Sequence, residues 1–486
     1  MTLALICALV VLLYWRTLDY KYVIDDNVKR NGYMYEVPRE GPPPDLFINR
    51  PPKLYRVFMI GMHCVNVSVI YLLWGWVPAL LFAVHPMGVW GTVWVTGNYY
   101  ATTAYFCLIA YYIMTAIPNI FGALIGMIMF TAALNSTICG LSFPFVCIAT
   151  GVPFGWTLLF PLVMYLRGKR FTTGIKTRLD FNIGKPVDAR FTWRRLLLMT
   201  KLVARYIFLC FVPERQGFFR LFGHELHTNQ KRYDWIHKVN SEFWGSLALC
   251  LTLFAVGMVI HPVGTLWFFG IMLLHSQWNM TGQFCAERYI YLPIIGLCVV
   301  VGTALQGFPI IITIIATYLA YKTHKFIPVW ENQEALWRND VKSFPENSNV
   351  YSNLAQYLMN GNGNKKMDSY RINEIAMYLQ KAYKMEPDKW EISMNMACFS
   401  VMVGNIPSGI EWTEKAICLL EPIAGPSGQY ALNKLYEQKE RLEEAEMQGR
   451  IGADDKSPSL TPPVQKKEKE NGKSETKEAT RLPQPA

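Results

Sequence analysis

Met1-Thr2-Leu3-Ala4-Leu5-Ile6-Cys7-Ala8-Leu9-Val10-Val11-Leu12-Leu13-Tyr14-Trp15 is apolar almost throughout, and Arg16 then interrupts it. No basic leader precedes this run and no small-residue cleavage pattern follows it, so it reads as an uncleaved anchor rather than a removable signal. Runs of the same character recur as far as Tyr321, at about 57–73, 76–86, 99–116, 118–134, 137–150, 153–166, 244–260, 263–279, 290–305 and 309–321. Several are short for an untilted crossing. With 52% of residues hydrophobic and only 17% charged, lipid is the expected main solvent. The pattern predicts an all-α, polytopic transmembrane helix bundle of about eleven spans over residues 1–321, in a multi-pass integral membrane protein.

The polar stretches between these runs are 16–56, a first extramembrane loop, and 167–243, a larger extramembrane region. Within the latter, 194–212 is apolar but carries Lys201 and Arg205, four residues apart. That spacing puts both cations on one helical face and predicts an interfacial helix lying on the membrane. Parity then gathers the loop after Trp15, the His85-Pro86 turn, the 167–243 region, the Glu287 segment and the tail on one side. The basic loop 167–195 conflicts with an outward position for that side, and the outward reading is retained. The net charge of +11 is concentrated between Arg167 and Arg205, beside apolar segments. Membrane lipid or a phosphate-bearing substrate is the expected partner, not nucleic acid. Most of the eleven cysteines lie inside apolar runs and none forms a C-x-x-C pair, so they read as buried small hydrophobes.

Beyond Tyr321 the composition turns polar. Lys381-Ala382 and Lys415-Ala416 lie 34 residues apart, the tetratricopeptide period, and Pro345, Pro387 and Pro422 each follow an apparent helix. Asn353-Leu354-Ala355 and Asn395-Met396-Ala397 hold similar places in two repeats, with an insertion around Gly361 to Tyr370. A short tetratricopeptide-type helical-repeat domain is expected over 322–440, the plainer alternative being a pair of antiparallel helical hairpins. Residues 441–486 read as a charged, disordered tail.

Two stretches could carry chemistry. In Tyr22-Val23-Ile24-Asp25-Asp26-Asn27, one carboxylate could act as a base while its neighbour holds a cation or a hydroxyl. An acidic turn or helix cap after an anchor is the structural alternative. In Ala286-Glu287-Arg288-Tyr289-Ile290-Tyr291-Leu292-Pro293, Arg288 could hold a phosphate through its planar fork with Glu287 orienting it, or it could be a boundary anchor flanked by tyrosines. His224-Glu225-Leu226-His227 lacks the four-residue histidine spacing of zinc-protease helices. Asn135-Ser136-Thr137 and Asn279-Met280-Thr281 match the glycosylation pattern but lie in or beside apolar runs. His63, Asn66, His275 and Gln277 are costly in lipid and should face the bundle interior.

The order of these features resembles the transmembrane and tetratricopeptide-repeat O-mannosyltransferases and their prokaryotic relatives in the GT-C glycosyltransferase superfamily. The resemblance covers most of the chain. It rests on Asp25-Asp26, Arg50-Pro51, His63 with Asn66, Leu81 to Pro86, Gly97, Ala286 to Pro293, and on Lys185-Pro186, Phe191-Thr192 and Pro213 in the central segment. It implies a GT-C-like fold and transfer of a sugar, with mannose expected, from a polyprenyl- or dolichyl-phosphate donor to a hydroxyl of a protein acceptor bound by the repeats. In that scheme Asp25 is the base and Asp26 assists through acceptor or cation contacts. Arg288, Glu287 and His85 hold the donor phosphate, and Arg190, Arg194 and Arg205 guide the lipid headgroup. A divalent cation remains open as a requirement. The membrane would be the cytoplasmic one in a prokaryote and the endoplasmic reticulum in a eukaryote. The chain departs from the family pattern where Trp90 stands in place of an acid, where Asn98 follows Gly97 in place of an arginine, and where Gly140-Leu141-Ser142 replaces a Lys-Glu pair. Those departures leave open a catalytically silent, membrane-anchored repeat scaffold, or a GT-C enzyme that modifies envelope glycolipids.

Overall fold

The computed structural model describes residues 2–23, 52–167, 193–214, 216–217, 239–273, 286–360, 368–424 and 426–452. Among them the regular structure is helical, without a strand. The apolar part comprises α1 (Thr2–Tyr14), α2 (Pro52–Trp74), α3 (Trp76–Val84), the short α4 (Val89–Thr92), α5 (Asn98–Ala116), α6 (Ile120–Ser136), α7 (Phe143–Ala149) and α8 (Leu159–Arg167). It continues through α9 (Trp193–Phe211), α10 (Ser241–Ile260), α11 (Pro262–Leu273), α12 (Ile294–Leu305) and α13 (Pro309–Phe326).

Local punctuation cuts this apolar sequence into helices. Gly75, at φ 88°, turns α2 into α3 in a conformation that costs a side-chain-bearing residue more. Asn119 accepts from the amides of Phe121 and Gly122 at 3.0 and 3.2 Å and starts α6, and Asn240 accepts from Phe243 to start α10. Proline opens α11 and α13, where a missing N–H costs nothing. Helices α11 and α12 cross so closely that a Cβ on Gly296 would lie 2.3 Å from the Gly264 carbonyl oxygen. Small residues of this kind let apolar helices touch backbone to backbone.

Three helical segments are long and apolar enough to cross a membrane: Thr2–Asp19, Lys53–Trp74 and Ser241–Ile260. Shorter apolar helices are Ile120–Ser136, Pro262–Leu273 and Ile294–Leu305. The runs at 137–150 and 153–166 do not each supply a crossing helix. They form α7 and α8, of seven and nine residues, which rise about 10 and 14 Å against a hydrocarbon core of about 30 Å. Leu5, Leu12, Phe121, Leu251, Val259, Ile310 and Ile314 point outward from the periphery, and in α10 only Gly257 is buried.

Helix α9 does not give its two cations the shared setting that their spacing suggests. Lys201 is buried and reaches Glu242 of α10 at 3.9 Å, whereas Arg205 is exposed above the Phe208 ring. Positions four apart differ by about 40° around the axis, and here α10 covers one of them and not the other. Leu198, Leu202, Tyr206 and Leu209 are also buried, while Leu196, Phe208 and Phe211 are exposed, so α9 packs one face on its neighbours and leaves another open.

The polar part is a succession of antiparallel helices: α14 (Gln333–Ser343), α15 (Ser348–Asn360), α16 (Ser369–Met385), α17 (Trp390–Met402), α18 (Ile406–Leu420) and α19 (Pro426–Gly452). Asn332, Asp368 and Asn405 cap three of them through their side-chain oxygens. Ala382 and Ala416 are fully buried, and the lysine before each lies over a tyrosine ring, Lys381 over Tyr351 at 4.4 Å and Lys415 over Tyr383 at 4.5 Å. The expected division at Tyr321 falls inside α13. The same buried apolar cluster runs on through Phe326, Ile327 and Trp330 into the polar helices, where Leu336, Leu354, Leu358 and Leu379 belong to it.

Candidate functional site

The Glu287–Ile290 turn enters α12 through Pro293 and is anchored by its apolar neighbours, Ile290, Tyr291 and Leu292 being buried. The Ala286 amide donates to the Tyr206 hydroxyl at 3.0 Å, tying the turn to α9. Glu287 is buried, and its Oε2 accepts from Trp90 Nε1 at 3.1 Å. The Arg288 guanidinium lies over the Tyr289 ring at 5.0 Å and the Trp94 ring at 5.8 Å. One of its nitrogens donates to the Tyr289 hydroxyl at 3.4 Å. A guanidinium cradled by aromatic rings keeps its charge and its planar fork, the combination that suits a phosphate oxyanion.

His85 sits beside this turn with both ring nitrogens committed to backbone. Its Nδ1 accepts from the Met87 amide at 3.2 Å, which places the proton on Nε2, and Nε2 donates to the Cys210 carbonyl at 3.0 Å. As placed, the imidazole caps the His85-Pro86 turn and clamps it to the end of α9, leaving no ring nitrogen for a phosphate.

The other expected site residues are dispersed or undescribed. Asp25, Asp26 and Arg190 lie outside the described residues, as do His224 to His227, His275, Gln277 and the sequon at Asn279. Arg194 and Arg205 are both on α9, eleven residues and about 16 Å apart along its axis, and Arg205 is the one nearer Cys210 and His85. Among the described residues, no group of three or more His, Cys, Asp or Glu could hold a metal ion.

Residues that the sequence reading passed over complete the surroundings. Arg56, fully buried in the first turns of α2, donates to the carbonyl oxygens of Val93 and of Lys21, the latter at 2.8 Å. It joins the 85–97 segment to the chain that leads towards Asp25. The signal was present, since a cation at the start of an apolar run needs a partner. The Lys21 amide donates to the Glu331 carbonyl at 3.0 Å, and Thr323 Oγ1 donates to the Val84 carbonyl at 2.6 Å. Asn339 Nδ2 donates to the Gln216 carbonyl at 2.8 Å. Behind the turn, Tyr291 shares its hydroxyl with His63 Nδ1 at 2.7 Å and Asn66 Nδ2 at 3.3 Å, so these two polar residues do face the interior. Lys21 after the first helix, the His85–Gly97 segment, the end of α9, the Glu287 turn and the start of the polar helices therefore meet at one end of the bundle. Comparison of the chain with family models, curated proteins and solved structures found no match.

Proposed function

We propose that this chain is a multi-pass membrane glycosyltransferase that moves a sugar from a polyprenyl-phosphate donor to a hydroxyl of a protein acceptor. The observation that carries the reading is the Glu287-Arg288 pair, with the guanidinium set among Trp94 and Tyr289 where the polar segments meet. Arg288 binds the donor phosphate and stabilises the charge that grows on it as the bond to the sugar breaks. Asp25 takes the acceptor hydroxyl proton while the acceptor oxygen attacks the anomeric carbon, and the lipid phosphate leaves. Asp26 contacts the acceptor or a cation. Mannose as the sugar rests on the family resemblance alone.

The outward-facing apolar side chains of α1, α2, α6, α10 and α13 support lipid as the surrounding solvent. The equivalent settings of Lys381-Ala382 and Lys415-Ala416 support a tetratricopeptide-like reading of the polar helices, as the acceptor-binding part. Asp25→Asn and Asp26→Asn, assayed in purified membranes with a polyprenyl-phosphate mannose donor, are expected to lower transfer by roughly 10²–10⁴-fold, the contribution of a positioned base. Unchanged transfer in both variants would sink the proposal.

A further inference from the structure

Glu287 and Arg288 take their aim from another part of the chain. Trp90 Nε1 donates to Glu287, and Trp94, four residues later, lies beneath Arg288. The two indoles meet edge to face with centroids 6.1 Å apart at 87°. Trp330 wedges against both, at 4.8 Å and 83° from Trp90 and at 6.1 Å and 31° from Trp94, and Phe326 closes the cluster at 6.1 Å from Trp90. Trp330 is fully buried at the end of the Ile327–Trp330 turn, the connection from α13 into the polar helices. Its indole N–H has no hydrogen-bond partner among the described residues, so ring packing alone holds it there.

We propose that Trp90 and Trp330 are positioning residues of the anion site. Trp90 aims Glu287 through its N–H. Trp330 fixes the separation of Trp90 and Trp94 through its ring, which makes the root of the polar helices a structural component of the site. The inference rests on the reading of Arg288 as the phosphate ligand. It predicts opposite responses to the same substitution, because phenylalanine keeps a packed ring but has no N–H to donate.

The test is the affinity of the detergent-purified full chain for farnesyl phosphate, a soluble polyprenyl monophosphate, measured by titration calorimetry. Arg288→Gln is expected to weaken binding more than tenfold. Trp90→Phe is expected to weaken it by about tenfold, the loss of one buried hydrogen bond to a charged group. Trp330→Phe should bind within about threefold of wild type, and Trp330→Ala about tenfold more weakly. If Arg288→Gln binds as wild type does, the anion site and the positioning roles fall together. If Arg288→Gln weakens binding and Trp90→Phe does not, only the positioning inference is overturned. Equal losses for Phe at both positions would also overturn it, since they would reflect general damage to the cluster.

Discussion

Arg288 offers charge, a planar face and a fork of donors at once, and a lysine would keep only the first. Arg288→Lys is therefore expected to lower affinity for farnesyl phosphate by about tenfold while the melting temperature in detergent stays unchanged. Equal affinity would mean that charge alone matters. Close packing behind the turn makes a second prediction. A Cβ on Gly91 would lie 2.6 Å from the Tyr291 ring, and that ring is held by the bond from its hydroxyl to His63. Gly91→Ala should cost about 1–3 kcal/mol in denaturant titration. The Glu-Arg pair stood out in the sequence because an ion-pairing dipeptide interrupts the apolar pattern just before α12. Trp94 and Trp330 did not, since tryptophan near an apolar run already has a sufficient explanation as a boundary residue. The backbone partners of His85 were not legible either, since its bonds to Met87 and Cys210 depend on a turn and a helix end that sequence does not bring together.

Helix boundaries were readable where a single residue sets them. Asn119, Asn240, Pro262 and Pro309 start helices close to where the apolar runs imply. How many helices cross was not readable in that way, because a run such as 137–150 is apolar whether it spans lipid or folds into a short helix within the bundle. The different settings of Lys201 and Arg205 on α9 were not readable, because they depend on a neighbour, α10, that covers one side of the helix. Lys201→Met is accordingly expected to leave stability unchanged or raise it, since an apolar side chain of similar volume replaces a buried cation. A clear fall in melting temperature would show that the ion pair with Glu242 is worth more than its desolvation. Helix α13 has a related lesson. A truncation after Tyr321 removes Thr323 and Trp330, which bond to Val84 and pack on Trp90. It would damage the bundle end directly and could not separate an enzyme from a scaffold. A cut after Asn360 leaves those contacts in place.

The chain as a whole joins an apolar assembly to a charged one, and the two respond differently to solution conditions. In the polar helices, Arg338 of α14 donates to both carboxylate oxygens of Glu374 on α16, at 2.7 and 3.1 Å. That bond outweighs burial and holds the Glu374 carboxyl below its ordinary value near 4.5. The pair's contribution is thus fully present above about pH 4.5, shrinks as pH falls below that, and is gone once the folded carboxyl protonates. Between pH 7 and 5 the melting of α14 to α16 should not respond to this pair, and below pH 4.5 Arg338→Met should flatten the decline seen in wild type. Sidedness is open to a direct test with single cysteines at Asn27, Lys176 and Tyr370. Tyr370 is 78% exposed. Labelling of all three from the same side is expected, and opposite accessibility of Asn27 and Tyr370 would remove the arrangement on which the proposed function depends. The bond from Lys21 to the Glu331 carbonyl has a further consequence, for the order of events during synthesis. At about 5–20 residues per second, the first helix waits for tens of seconds before its partner leaves the ribosome. Until then Trp90 lacks its final surroundings, so chains released before Trp330 should stay protease-sensitive around Lys21 while chains ending after Ser343 become protected.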